Sequence, residues 1–134
     1  REEMARVPGL LETLAEIPST KAYNAKDKEN AMRAIMHLTN ETENRRRMCN
    51  KYILKALVEA ADRDGNKEIR DSAIVAIERL ATEVTNRKYM ARHDGLLTTV
   101  AKATEREAKA ELAGEKQSQP RLAKQLLLSL LVAM

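Results

Sequence analysis

The sequence predicts an all-α fold, a right-handed α-solenoid of three repeats in a single domain spanning residues 1–134. Three observations predict it. Gly9-Leu10-Leu11-x-x-Leu14, Tyr52-Ile53-Leu54-x-x-Leu57 and Gly95-Leu96-Leu97-x-x-Val100 share one apolar pattern, and their starts at Leu10, Ile53 and Leu96 lie 43 residues apart both times. Ala31-Met32-x-Ala34-Ile35-x-x-Leu38 returns 42 residues later as Ala73-Ile74-x-Ala76-Ile77-x-x-Leu80, and 50 residues after that as Ala123-x-x-Leu126-Leu127-x-x-Leu130. Asn44-Arg45-x-x-Met48 matches Asn86-Arg87-x-x-Met90, with Met4 at the corresponding place near the start. A fixed period of this size marks stacked helical units, and apolar residues at i, i+3, i+4 and i+7 define one buried helical stripe.

Each unit holds up to three helices. Repeat one covers about 1–41, repeat two about 42–84 and repeat three about 85–134. A short first helix is expected over 43–49 and 86–92, with Thr42 and Thr85 as N-caps. A second is expected over 8–17, 51–61 and 95–104, Pro8 suiting the first turn because its missing N–H costs nothing there. A third is expected over 27–40, 67–83 and 120–133, opened by Asp27, Asn66 and Pro120. Pro18-Ser19-Thr20 and Asp62–Asn66 read as turns. The connector at 105–119 is longer, rich in Glu, Lys, Ala and Gln, and reads as a solvated excursion that is partly helical at 105–113.

Composition narrows the class. With 43% hydrophobic and 33% charged residues, the chain is neither generally disordered nor membrane-spanning. It has no Phe and no Trp, so the core must be built from Leu, Ile, Val, Met and Ala. A net charge of +4, from 24 basic and 20 interspersed acidic residues, permits acidic partners without demanding nucleic acid. The single Cys49 cannot close an internal disulfide, which points to a reducing compartment, cytoplasmic or nuclear. The charged first twenty residues do not read as a signal peptide, and the apolar run Leu126–Met134 is too short to span a bilayer. The chain opens on Arg1 and begins inside its first repeat, so it reads as a piece of a longer array.

Three units of about 43 residues resemble armadillo repeats. Asn86–Leu97 resembles the family's passage from first to second helix, and Ala73–Ala81 its third helix. The related HEAT architecture is the runner-up; the short extra helix and the glycines at 9 and 95 favour armadillo. The resemblance implies a non-catalytic protein–protein interaction scaffold or adaptor whose third helices line a concave surface. In well-known members an Asn on each third helix grips a peptide backbone. Here that position holds His37, Arg79 and Ser129, and the stacking Trp residues of nuclear-import receptors are absent, so generic recognition of a nuclear localisation peptide is not expected.

Helical spacing groups Asn30, Arg33, His37, Ser72, Val75, Arg79, Gln125 and Ser129 as a polar, moderately basic groove, with Asn40 and Thr82 at its edge. Guanidinium groups make bidentate contacts with carboxylates, so the expected partner is an acidic or extended protein segment. The alternative is nucleic acid or an anionic surface bound by a basic face of Arg45, Arg46, Arg47, Arg87 and Lys88, less favoured because only Tyr89 is interleaved for stacking. The apolar last helix offers a surface for continuation of the array or for self-association, with the docking of a partner's apolar helix as the less favoured reading.

Asp62-x-Asp64-x-Asn66 resembles the opening of a calcium loop, but Lys67 stands where a sharp turn needs Gly, and Ala73 where a bidentate Glu is needed. Cys49, His37 and His93 are too few and too dispersed to suggest a zinc site, and no phosphate loop or nucleophile elbow is present. Cys49, Met48 and Met90 read as core fillers. No catalytic residue, metal or cofactor is expected.

Overall fold

The computed structural model describes residues 9–19, 24–63, 66–114 and 122–133. All regular structure among them is helical, in eight helices. These are α1 (Leu10–Ser19), α2 (Ala25–Leu38), α3 (Thr42–Met48), α4 (Lys51–Arg63), α5 (Lys67–Ala81), α6 (Val84–Arg92), α7 (Leu96–Leu112) and α8 (Leu122–Ala133).

Two layers result. Helices α1, α4 and α7 stack in order, and α2, α5 and α8 stack in order across from them. Each pair α1–α2, α4–α5 and α7–α8 also packs together, while the short helices α3 and α6 sit against α5 and against α5 and α8. The stripes that recur in the sequence are what the layers share. Met32, Ile35 and Leu38 on α2, Ala73, Ala76, Ile77 and Leu80 on α5, and Leu126 and Leu130 on α8 join one continuous core with Ile53, Leu54, Leu57, Leu96 and Val100. Met48 and Met90 are fully buried in it, as their repeated placement requires. Full burial of a side chain of this size is worth roughly 1.5–3 kcal/mol.

The helix starts differ from expectation in detail. Asn24, not Asp27, caps α2: its Oδ1 accepts from the Asp27 N–H at 2.8 Å, so the helix begins two residues earlier. Asn66 caps α5 as expected, accepting from the N–H groups of Glu68 and Ile69. Thr42 and Thr85 are not caps. The cap positions fall at Glu41 and Glu83, neither of which makes a side-chain cap bond, because α3 and α6 start immediately after a tight turn and take both threonines into their first turn. Asn50 supplies a cap that the apolar pattern did not reveal, accepting from Tyr52 and Ile53 N–H at 3.0 Å each. Pro8 and Pro120 lie outside the described residues, as does the beginning of repeat one.

The third unit departs most. Helix α7 runs on to Leu112, so the helical stretch expected at 105–113 is continuous with the second helix, and Gly114 follows in the left-handed region at φ 73°. Two anchors account for the extension. Lys102 pairs with Asp62 at 3.2 Å, and one turn later Arg106 donates to the Ala61 carbonyl at 2.9 Å. Both grip the last turn of α4, where carbonyls lack intrahelical partners. The rest of the connector, 115–119, lies outside the described residues.

Candidate functional site

The matched Asn-Arg pairs form a clamp that occurs twice. Asn44 Nδ2 donates to the Leu38 carbonyl at 2.9 Å, and Asn86 Nδ2 to the Leu80 carbonyl at 3.0 Å. Arg45 Nε donates to the Thr39 carbonyl at 2.7 Å, and Arg87 Nε to the Ala81 carbonyl at 2.6 Å. In both units, therefore, the first helix takes up carbonyls at the end of the preceding third helix. The first clamp is the fuller one: Arg45 also donates to Thr82 Oγ1 at 3.0 Å and to the Asn40 carbonyl at 3.3 Å. Asn86 further ties the two units by donating to the Arg45 carbonyl at 3.1 Å.

This changes the basic face. Arg45 and Arg87 are half-buried and hold helix ends, while Arg46, Arg47 and Lys88 are exposed. The five cations expected to act together thus divide into two clamps and three surface charges.

The groove residues fall on α2, α5 and α8, the layer of third helices. Asn30, Arg33, His37 and Gln125 are exposed; Ser72, Val75, Arg79 and Ser129 are half-buried. Arg79 is engaged across the α2–α5 junction, its Nη1 donating to the Met36 carbonyl at 3.0 Å. Arg33 faces two carboxylates, Glu29 at 3.0 Å and Glu68 at 3.7 Å. A side-chain hydrogen bond with Glu68, then the Lys26 and Arg33 charges, hold the Glu29 carboxyl below its usual value in spite of some desolvation. Near α2 and α5 the groove is thus polar and nearly neutral rather than a free basic stripe.

Ser129 belongs to a different neighbourhood. It lines a depression of 320 Å³ between the start of α6 and the end of α8, together with Val84, Arg87, Lys88, Val132 and Ala133. Beside it, Leu128, Leu131 and Val132 are 54%, 47% and 88% exposed. Their spacing of i, i+3 and i+4 places them on one stripe of α8.

No protein family, curated protein or solved structure gives a match to this chain. The residues themselves therefore carry the functional reading.

Cys49 is half-buried, its Sγ 3.9 Å from the Asn86 carbonyl, and burial pushes the thiol up to about 11. It packs, partly buried, against the core, and it is not an activated nucleophile, which needs a depressed thiol pKa. Asp62, the first residue of the calcium-loop resemblance, lies at the end of α4 and pairs with Lys102. Among the described residues no three His, Cys, Asp or Glu side chains are grouped to hold a metal ion, and no helix is long and apolar enough to cross a membrane.

Sequence reasoning found the Asn-Arg pairs but not their role. The signal was available: a polar pair repeated at the same spacing as core residues is under the same geometric demand as the core. The Lys102 and Arg106 anchors left no comparable trace, since nothing distinguishes them from other cations on a helix.

Proposed function

We propose that this chain is a segment of an armadillo-like, right-handed α-solenoid that works as a non-catalytic protein-binding scaffold or adaptor in the cytoplasm or nucleus. The observation that carries the reading is the recurring clamp. Asn44-Arg45 and Asn86-Arg87 join successive units through equivalent carbonyls, and second helices stack on second helices and third on third. An array built this way presents surfaces along its length. The short helices α3 and α6 favour armadillo over HEAT geometry.

Binding uses the third-helix layer, where Asn30, Arg33, His37 and Gln125 are exposed to meet an acidic or extended segment. Glu29 and Glu68 offset the charge of Arg33, so polar contacts select the partner there more than net charge does. Affinity capture from a cell extract tests this, with an Arg33→Ala, His37→Ala variant beside the wild type and nuclease-treated samples of each. Exposed substitutions of this kind shift stability by roughly 0.5 kcal/mol or less. A protein retained by the wild type and lost by the variant supports the groove. Capture that is unchanged by the variant contradicts it, and capture abolished by nuclease favours the basic-face alternative.

A further inference from the structure

The two clamps are not equally complete. Arg45 makes three hydrogen bonds, through Nε, Nη1 and Nη2. Arg87 makes the Nε bond to the Ala81 carbonyl, and its two terminal nitrogens meet no acceptor among the described residues. The third helices account for the missing Nη1 bond. Thr82, which accepts from Arg45, lies 50 residues before Val132, the shift that relates the α5 stripe to the α8 stripe. Val132 lines the depression beside Arg87, and its side chain has no oxygen to offer. The second clamp is therefore open at the place where the first is closed.

The opening has a defined chemistry. Arg87 and Lys88 supply cationic donors, Val84, Val132 and Ala133 supply apolar surface, and no carboxylate among the described residues lines it. Leu128 and Leu131 extend the apolar surface along α8, and the exposed Lys124 lies one turn before Leu128. We propose that this α6–α8 site docks an acidic amphipathic helix of another protein, a carboxylate taking the free end of the Arg87 guanidinium while an apolar stripe covers Leu128, Leu131 and Val132. The proposal rests on the reading of the chain as a protein-binding scaffold, but on a surface separate from the α2–α5 groove.

Charge decides between occupants. A second copy paired face to face through the same surface would bring Arg87, Lys88 and Lys124 against their counterparts, with no lining carboxylate among the described residues to meet them. The nearest carboxylate in sequence, Glu83, precedes Val84, is half-buried and does not line the depression. Helices recognised in grooves present anchors at i, i+3, i+4 and i+7. Glutamates flanking such anchors are suited to Arg87, which offers two parallel donors.

The test uses two fluorescein-labelled peptides of about 15 residues, long enough for four helical turns. Both carry leucines at i, i+3, i+4 and i+7; one has glutamates on the flanks and the other lysines. Fluorescence anisotropy is followed in roughly 0.1 M salt, where exposed charges still act over about 10 Å. The Glu peptide is expected to bind and the Lys peptide to bind at least about tenfold more weakly. Arg87 is left in place because its Nε holds α5. Instead, Val132→Thr restores the hydroxyl that Thr82 gives Arg45, and Lys88→Gln removes the second cation. Together they are expected to weaken the Glu peptide about tenfold without lowering the melting temperature.

Equal binding of the two peptides, or of wild type and the double variant, overturns the proposal. So does a dimer in sedimentation equilibrium that Leu128→Glu abolishes and the Glu peptide does not displace. The Arg33→Ala, His37→Ala groove variant separates the two surfaces. Undiminished peptide binding by that variant supports the α6–α8 site. Loss of peptide binding in the groove variant alone leaves the scaffold reading intact and removes this site.

Discussion

Replacing Asn86 by Ala should destabilise the fold by about 2 kcal/mol, because this one amide joins two units. Its Nδ2 donates to the Leu80 carbonyl at 3.0 Å and to the Arg45 carbonyl at 3.1 Å, and the residue is buried. A net hydrogen bond contributes roughly 0.5–1.5 kcal/mol, and a carbonyl left without any partner costs roughly 1–3 kcal/mol. Neither carbonyl is orphaned here. The Glu83 N–H remains on Leu80 at 3.4 Å, and the Cys49 N–H on Arg45 at 3.2 Å. The loss is therefore two bonds and not two desolvated acceptors, which sets the figure at about 2 kcal/mol rather than twice that. In a chain of 134 residues this corresponds to a fall of roughly 6–10 °C in Tm. Asn86→Asp should cost more, since it replaces the donor with a carboxylate facing two carbonyls. Urea unfolding followed by circular dichroism at the helical band measures both, with the exposed Arg46→Ala as control. A loss below about 0.5 kcal/mol for Asn86→Ala, no larger than the control, would refute the claim that the amide joins the units.

Other predictions follow from particular contacts. Arg106→Ala should free the Ala61 carbonyl and cost about 1 kcal/mol, with faster hydrogen exchange in α7 beyond Lys102 as the local readout. Gly95→Ala should cost about 1 kcal/mol through backbone strain alone, since φ is +82° while the added Cβ would lie 3.8 Å from Val58, an ordinary contact; thermal melting checks it. Cys49, raised from 9.0 to about 11 by burial, should be alkylated roughly 100-fold more slowly than a free thiol at pH 8, and urea should abolish the difference. Because the folded thiol titrates above the unfolded one, its contribution to stability is complete below about pH 9 and is lost as pH rises toward 11. His93 has the opposite sense. Burial, only partly offset by Asp94, lowers its pKa from 6.5, so its contribution is present above that pH and is lost as pH falls, a slope that His93→Gln should reduce in urea melts at stepped pH.

The apolar ladders make the layers legible in the sequence, because a buried stripe must keep its period for helices to stack. Met48 and Met90, Ala73 and Leu80, and the Asn66 cap all stand where their spacing put them. Two kinds of feature were less legible. Helix limits depend on single polar contacts, so Asn24 and Asn50 took the capping work while Thr42 and Thr85 were drawn into first turns. The helical stretch of α7 beyond residue 104 is legible in the sequence, but its long-range anchors at Asp62 and Ala61 are encoded by no local pattern.

For the site, the sequence placed the residues but not their commitments. Arg79 and Arg45 look like surface cations in a list of helix positions, yet both donate to carbonyls of neighbouring helices. Arg33 keeps its exposure and faces the carboxylates of Glu29 and Glu68. The open clamp at Arg87 emerges only when the two units are laid over each other and Val132 is found in place of Thr82.

The most direct measurement is a ¹H–¹⁵N titration of the whole chain with the acidic leucine-striped peptide and, separately, with a single-stranded oligonucleotide. A protein-binding scaffold with an open α6–α8 site predicts that the peptide shifts backbone signals at Arg87, Lys88, Ser129 and Val132 while those of α3 stay still. Peptide-induced shifts absent from both α6 and α8, with the oligonucleotide instead moving Arg46 and Arg47, would contradict the account.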